Sequence, residues 1–200
     1  MKMVPRVPER LLTALGASAD FRDDVLGDLA EEFAVRAEWD GVPKARRWYY
    51  REALRAAPYF LRDARRNMRA RDLLGIVKAI VLAMVGVKLF RFAFYGIAGP
   101  LLDVTRHLDH TMPVWWYLPF VFLNAISPVM GGYIAARTHR KAPLAAAAAL
   151  GLVWAAIDIA MSVRFGASWP AVYRYGAPMI AIVFTTLGGV VRAVRLPRPL

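Results

Sequence analysis

Three charged side chains fall deep inside stretches of sequence that are mainly hydrocarbon: Lys88, Arg91 and Asp158. Asp158 is the only charged residue in the apolar run from Ala142 to Met161. An ionised group near the centre of a membrane helix costs roughly 2.5–3.5 kcal/mol on insertion scales, so such residues pair with one another or line a path. At about 1.5 Å of rise per residue, Lys88 lies ~22 Å from Leu73 and Asp158 ~24 Å from Ala142, the same depth if both runs start at one membrane face. Arg91 sits one turn beyond Lys88. The trio reads first as an ion-pairing contact between two spans. Snorkelling of the bases to the outer interface and an ion or substrate relay are the other open readings. A relay needs further polar lining, for which Asn124, Ser127, Thr185 and Thr186 are the main candidates; each is expected to hydrogen-bond between helices.

Other chemistry is sparse. The chain has no cysteine, which excludes disulfides and thiolate ligands. His107 and His110, with Asp103 and Asp109, are crowded into one short loop, and His139 falls on the other side of a span. No metal is expected there, because solvent-facing loop polarity explains the cluster. No GxxxxGK[ST] or HExxH motif occurs, and no motif implies a Ser-His-Asp arrangement. The expectation is a protein that is not an enzyme and takes no cofactor.

The elements that must hold the charged trio are read from hydropathy. A spanning helix needs about 20 mainly apolar residues, because hydrocarbon offers its backbone no partners. Four runs qualify, over about 73–98, 114–136, 142–161 and 173–191; Trp115, Trp116 and Tyr117 open the second with an aromatic cluster suited to an interface. Pro128 is expected to kink that run, and Lys78 to snorkel. Small residues such as Gly131, Gly132, Ala135, Ala146, Gly188 and Gly189 allow close helix approach. Arg69 and Arg71, then Arg137, Arg140 and Lys141, then Arg192, Arg195 and Arg198 flank these runs on one side of a four-span arrangement. The positive-inside rule predicts both termini in the cytoplasm of a bacterial inner membrane, and no secretory leader is read at the start. The flanks would meet anionic headgroups. Nucleic acid is disfavoured as a partner, since the basic excess belongs to the membrane flanks: residues 1–72 carry net +3 and the remainder net +9.

Residues 1–70 differ in kind, holding 11 of the 15 acids. They predict a cytosolic three-helix module ahead of the transmembrane residues 71–200, an all-α architecture throughout. A short helix from Pro8 stops at Gly16. A second, capped by Asp20 and ended by Gly41, carries Phe21, Val25, Leu29, Phe33 and Ala37 every four residues. A basic third helix starts near Pro43 and is bent or shortened at Pro58, with Val42-Pro43 as the turn of an antiparallel hairpin. Asp28, Glu31, Glu32, Arg36, Arg46, Trp48 and Tyr49 are the candidate docking surface for another membrane protein or a second copy. The third helix has three open readings: part of a protein-contact module, an interfacial anchor laying Trp48, Tyr49, Tyr50, Phe60 and Leu61 on headgroups, or a nucleic-acid surface.

The stretch from Gly27 to Phe33 (GDLAEEF), then Arg36, Gly41, and Ala45 to Arg55 (ARRWYYREALR), resembles the permease prefix domain that precedes the transmembrane part of many bacterial MacB/FtsX-type ABC transporter permeases. The resemblance covers roughly residues 6–65. It departs beyond them: full permeases of this kind place a large extracytoplasmic domain between their first two spans, where this chain has only residues 99–113, and no nucleotide-binding motif is present. The resemblance therefore implies an accessory or regulatory component beside a transporter. A small oligomeric transporter or channel lined by Asp158 and Lys88 is the alternative.

Overall fold

A computed structural model describes residues 4–102, 118–165 and 171–195. Asp103, His107, Asp109, His110, Trp115, Trp116, Tyr117 and Arg198 lie outside them. Among the described residues there are seven helices: α1 (Arg6–Ala14), α2 (Ala19–Trp39), α3 (Val42–Arg66), α4 (Ala70–Leu102), α5 (Leu118–Thr138), α6 (Pro143–Phe165) and α7 (Ala171–Val194).

The burial pattern of α4 is the reverse of a helix in water. It hides Ile76, Ala79, Ala83 and Val87 at steps of three and four, and leaves Leu74, Val77, Val81, Val85, Leu89 and Phe92 exposed. Small residues inside and large apolar ones outside are what hydrocarbon solvent selects, because packing alone, without a hydrophobic drive, holds such helices together. Ala70–Phe94, Pro143–Arg164 and Gly176–Val194 are long and apolar enough to cross a membrane. The chain is a multi-pass helical membrane protein. Among the described residues three helices qualify, against the four spans expected.

Glycine sets how closely the apolar helices meet. α7 packs against both α5 and α6, and α4 against α5 and, less extensively, α6. A Cβ on Gly132 would fall on the Thr185 carbonyl, and one on Gly188 on the Val129 carbonyl, so α5 and α7 touch backbone to backbone. Gly151 lies against the Ile182 backbone in the same way, with room for a Cβ only at 3.1 Å. The hydroxyls were expected to bond between helices. Instead Ser127 donates to the Leu123 carbonyl, Thr185 to Ala181 and Thr186 to Ile182, each four residues back in its own helix. Each hydroxyl is satisfied within its own turn and needs no partner across the interface. α5 continues as one helix through Pro128.

The N-terminal helices share one apolar cluster: Leu12 from α1, Leu29, Phe33 and Ala37 from α2, and Ala45, Tyr49, Ala53 and Phe60 from α3. The four-residue repeat of α2 becomes its buried stripe. Phe21 meets Phe60 edge-on at 5.2 Å between centroids, and Phe33 meets Tyr49 at 5.7 Å. Two local readings change. The residue before α2 is Ser18, which places Asp20 inside the first turn, where its charge still favours the helix N-terminus. The hairpin turns at Asp40-Gly41, not Val42-Pro43: Gly41 takes φ +84°, which only glycine adopts without strain, and Val42 and Pro43 already open α3.

Gly27 tests this description simply. It sits mid-helix in α2 with nothing within 4 Å of an added Cβ. Gly27→Ala should stabilise the N-terminal helices by ~0.5–1 kcal/mol, read as slower amide exchange across α2.

Candidate functional site

The N-terminal helices are fastened to one end of the apolar bundle, where the ends of α4, α5, α6 and α7 converge. Arg10 on α1 donates its Nη1 to the carbonyl of Val194, so a cation caps the last turn of α7, where orphan carbonyls and the helix dipole favour one. Gly16, at φ +86°, presses the α1–α2 turn onto the α5–α6 loop; a Cβ there would lie 2.6 Å from that of Ala142. Lys141 in the same loop pairs with Asp72 at 2.9 Å. Asp72 also accepts the Arg69 N–H at 3.1 Å, closing the first turn of α4. Asp63, near the end of α3, accepts the Ser18 N–H at 2.7 Å and an Asn67 amide N–H at 3.1 Å. The Ser18 bond is the main reason its carboxyl is held below the usual range.

A cleft of about 130 Å³ lies at this junction, lined by Gly16, Asn67, Asp72, His139 and Lys141 among others. His139 forms its floor, only 8% exposed, and its ring lies over Gly75, where a Cβ would come within 2.8 Å of Nδ1. Burial lowers the His139 pKa from the ordinary 6.5; the Asp72 carboxylate opposes this and Lys141 adds to it. The packed state thus prefers neutral imidazole, and the loosened state binds the extra proton. Stability is fully present above the ordinary value of 6.5 and is lost as pH falls through it toward the depressed value. Amide exchange at residues 70–76 and 137–142 should therefore speed up on acidification below pH 6.5, and His139→Gln should flatten that dependence.

Inside the bundle, Asp158 is half-buried on α6, Arg91 half-buried on α4, and Lys88 exposed on α4. Arg91 on α4 lies close enough for its charge to be felt at Asp158. Lys88, equal to Asp158 in expected depth, faces outward. Burial distinguishes the two bases of α4 where depth along the helix did not. Of the polar residues weighed as lining, Thr185 and Ser127 are buried but spend their hydroxyls on their own helices.

On the N-terminal helices, Asp28, Glu31 and Glu32 are exposed on the outward side of α2. Arg36 bonds Glu32 at 2.7 Å and lies 4.6 Å above the half-buried Trp48 ring, joining α2 to α3. Arg46 is exposed. Tyr49 does not belong to this surface: it is 1% exposed, and burial, with the charge of Glu9 adding, pushes its phenol up to about 12. Phe60 is buried as well, which removes two of the five side chains of the interfacial-anchor reading. An aromatic within a basic segment carries no sign of which side it faces. The flanking alanines, Ala45 and Ala53, four residues to either side of Tyr49, were the available signal for the core stripe.

No group of three or more His, Asp or Glu residues set to hold a metal occurs among the described residues. No family model, no curated protein and no solved structure matches the chain.

Proposed function

We propose that this chain is a four-span protein of a bacterial inner membrane, with both termini in the cytoplasm. Its N-terminal helices form a permease-prefix-like head that docks on and regulates a second membrane protein of transporter type. One observation carries the reading: the head is fastened to the end of the bundle where Arg69, Arg71, Arg137, Arg140, Lys141, Arg192 and Arg195 gather. Basic residues of short loops stay on the cytoplasmic side, so the head and that end belong together in the cytoplasm. α5 supplies the fourth span, since its run from Leu118 to Ala136 is free of charge and packs between α4 and α7.

The motif that resembles the prefix domain supports the head assignment through its positions. Leu29, Phe33, Ala45, Tyr49 and Ala53 are its buried members, Gly41 is the left-handed turn, and Arg36, paired with Glu32 on α2, reaches over Trp48 of α3. On α2 the motif residues left outside, Asp28, Glu31 and Glu32, are acidic, and this is the face offered to a partner.

The test is charge reversal on that face in the full-length chain. Asp28→Lys, Glu31→Lys and Glu32→Lys together should leave membrane insertion intact and remove a co-purifying membrane protein. An unchanged partner set would sink the docking role. For the intramembrane charges, Asp158→Asn should lower abundance, with Arg91→Gln restoring part of it, as a structural contact requires. Normal abundance with lost ion or solute flux would instead support the transporter alternative.

A further inference from the structure

The outward side of α3 carries a second surface, distinct from the acidic face of α2. Arg47, Arg51, Leu54, Pro58, Leu61 and Arg65 follow one another at steps of four and three, so they form one stripe along the helix, and all are exposed. Leu54 is 75% and Leu61 51% exposed. Arg62 flanks the stripe. The two acids of α3 are absent from it: Asp63 turns to Ser18, and Glu52 is half-buried and bonds Arg55. From Arg47 to Arg65 the stripe is about 27 Å long.

Such a face, with leucines set between arginines, suits the boundary between headgroups and acyl chains, where the apolar side chains sink and the guanidiniums meet phosphate. Two observations choose the occupant. First, α3 is continuous with the membrane: only Asn67, Met68 and Arg69 separate it from α4, the first helix apolar enough to cross. Second, the charge is segregated. α2 and α3 pack core to core, so the acidic side of α2 points away from the basic side of α3. A surface of anionic lipid attracts one and leaves the other in water.

We propose that the outward face of α3 rests on the phosphates of anionic lipids in the bilayer that the chain itself crosses. The α3 stripe is a lipid contact, and it stands whether or not the acidic face of α2 has a protein partner.

The chain's lack of cysteine allows a direct test in the full-length protein. Leu54→Cys carries a nitrobenzoxadiazole probe, and the protein is placed in nanodiscs of phosphatidylcholine alone or with one third phosphatidylglycerol. Ala34→Cys, exposed on α2, is the comparison site. The expected result is a blue shift and a several-fold fall in iodide quenching at position 54 in the anionic discs only, reversed by high salt. Position 34 stays open to iodide in both. Replacing Arg47, Arg51, Arg62 and Arg65 with Gln, none of them in the buried cluster, should abolish the shielding. The proposal is overturned if position 54 behaves alike in both discs, or if the four-Gln variant keeps the shielding. It also fails if shielding needs two copies per disc, or if RNA shields the site where anionic lipid does not.

Discussion

Gly132→Leu should prevent the apolar bundle from assembling, the largest effect expected of any single substitution in the chain. At Gly132 an added side chain meets a backbone atom, the Thr185 carbonyl, and backbone in a packed helix cannot swing aside as a side-chain tip can. Overpacking in close-packed interiors costs about 1–3 kcal/mol when side chains can shift, and separating two helices costs more. Gly188→Leu should act alike, because it meets the Val129 carbonyl from the other side of the same crossing. Gly96→Leu is the control, an exposed glycine on α4 with nothing within 4 Å. The measurement is the monodisperse fraction and melting temperature of the purified protein in detergent. Gly132→Leu and Gly188→Leu should aggregate or melt far earlier than the parent, and Gly96→Leu should not. Equal behaviour of all three would mean that α5 and α7 do not cross where described.

The second large effect is on the head. Phe33 is fully buried and meets Tyr49 edge-on, at the centre of a cluster built from only three helices. Truncating a buried phenylalanine costs ~3–5 kcal/mol, and a domain this small has little stability to lose. Phe33→Ala should therefore unfold residues 5–66 as a unit while the apolar helices still insert. Limited trypsin digestion would show it, through rapid cleavage at the many basic residues of α3 beside an intact membrane fragment. Tyr50→Ala, one residue from Tyr49 but 45% exposed, should change stability by less than roughly 0.5 kcal/mol and leave the digestion pattern alone.

The contrast between Tyr49 and Tyr50 also shows where the sequence was legible. Helix existence was, because α2 repeats an apolar residue every four positions and the membrane runs are long. The small residues of α5, α6 and α7 were readable as contact sites, since little else suits close backbone approach. Turn chemistry was less so: Asp20 and Pro43 each fit a helix start, but Ser18 and Gly41 hold those positions, and both candidates lie within two residues of them. The basic third helix hid its core side, because Trp, Tyr and Arg are interleaved and an aromatic suits a core or an interface equally well. Depth matched Lys88 to Asp158, yet the position around the helix, which α4's packing against α5 and α6 sets, leaves Lys88 exposed and Arg91 half-buried. The junction around His139 was not anticipated, since it joins Gly16, Asp72, Gly75 and Lys141 across most of the chain.

The proposed topology places the head on the basic end of an even number of spans, with that end in the cytoplasm. Single cysteines in place of Ala34, Asp109, Arg140 and Arg195, probed with a membrane-impermeant maleimide in right-side-out and inverted vesicles, test it most directly. Positions 34, 140 and 195 should label only in inverted vesicles and position 109 only in right-side-out ones. Labelling of 34 and 195 from opposite faces would contradict it.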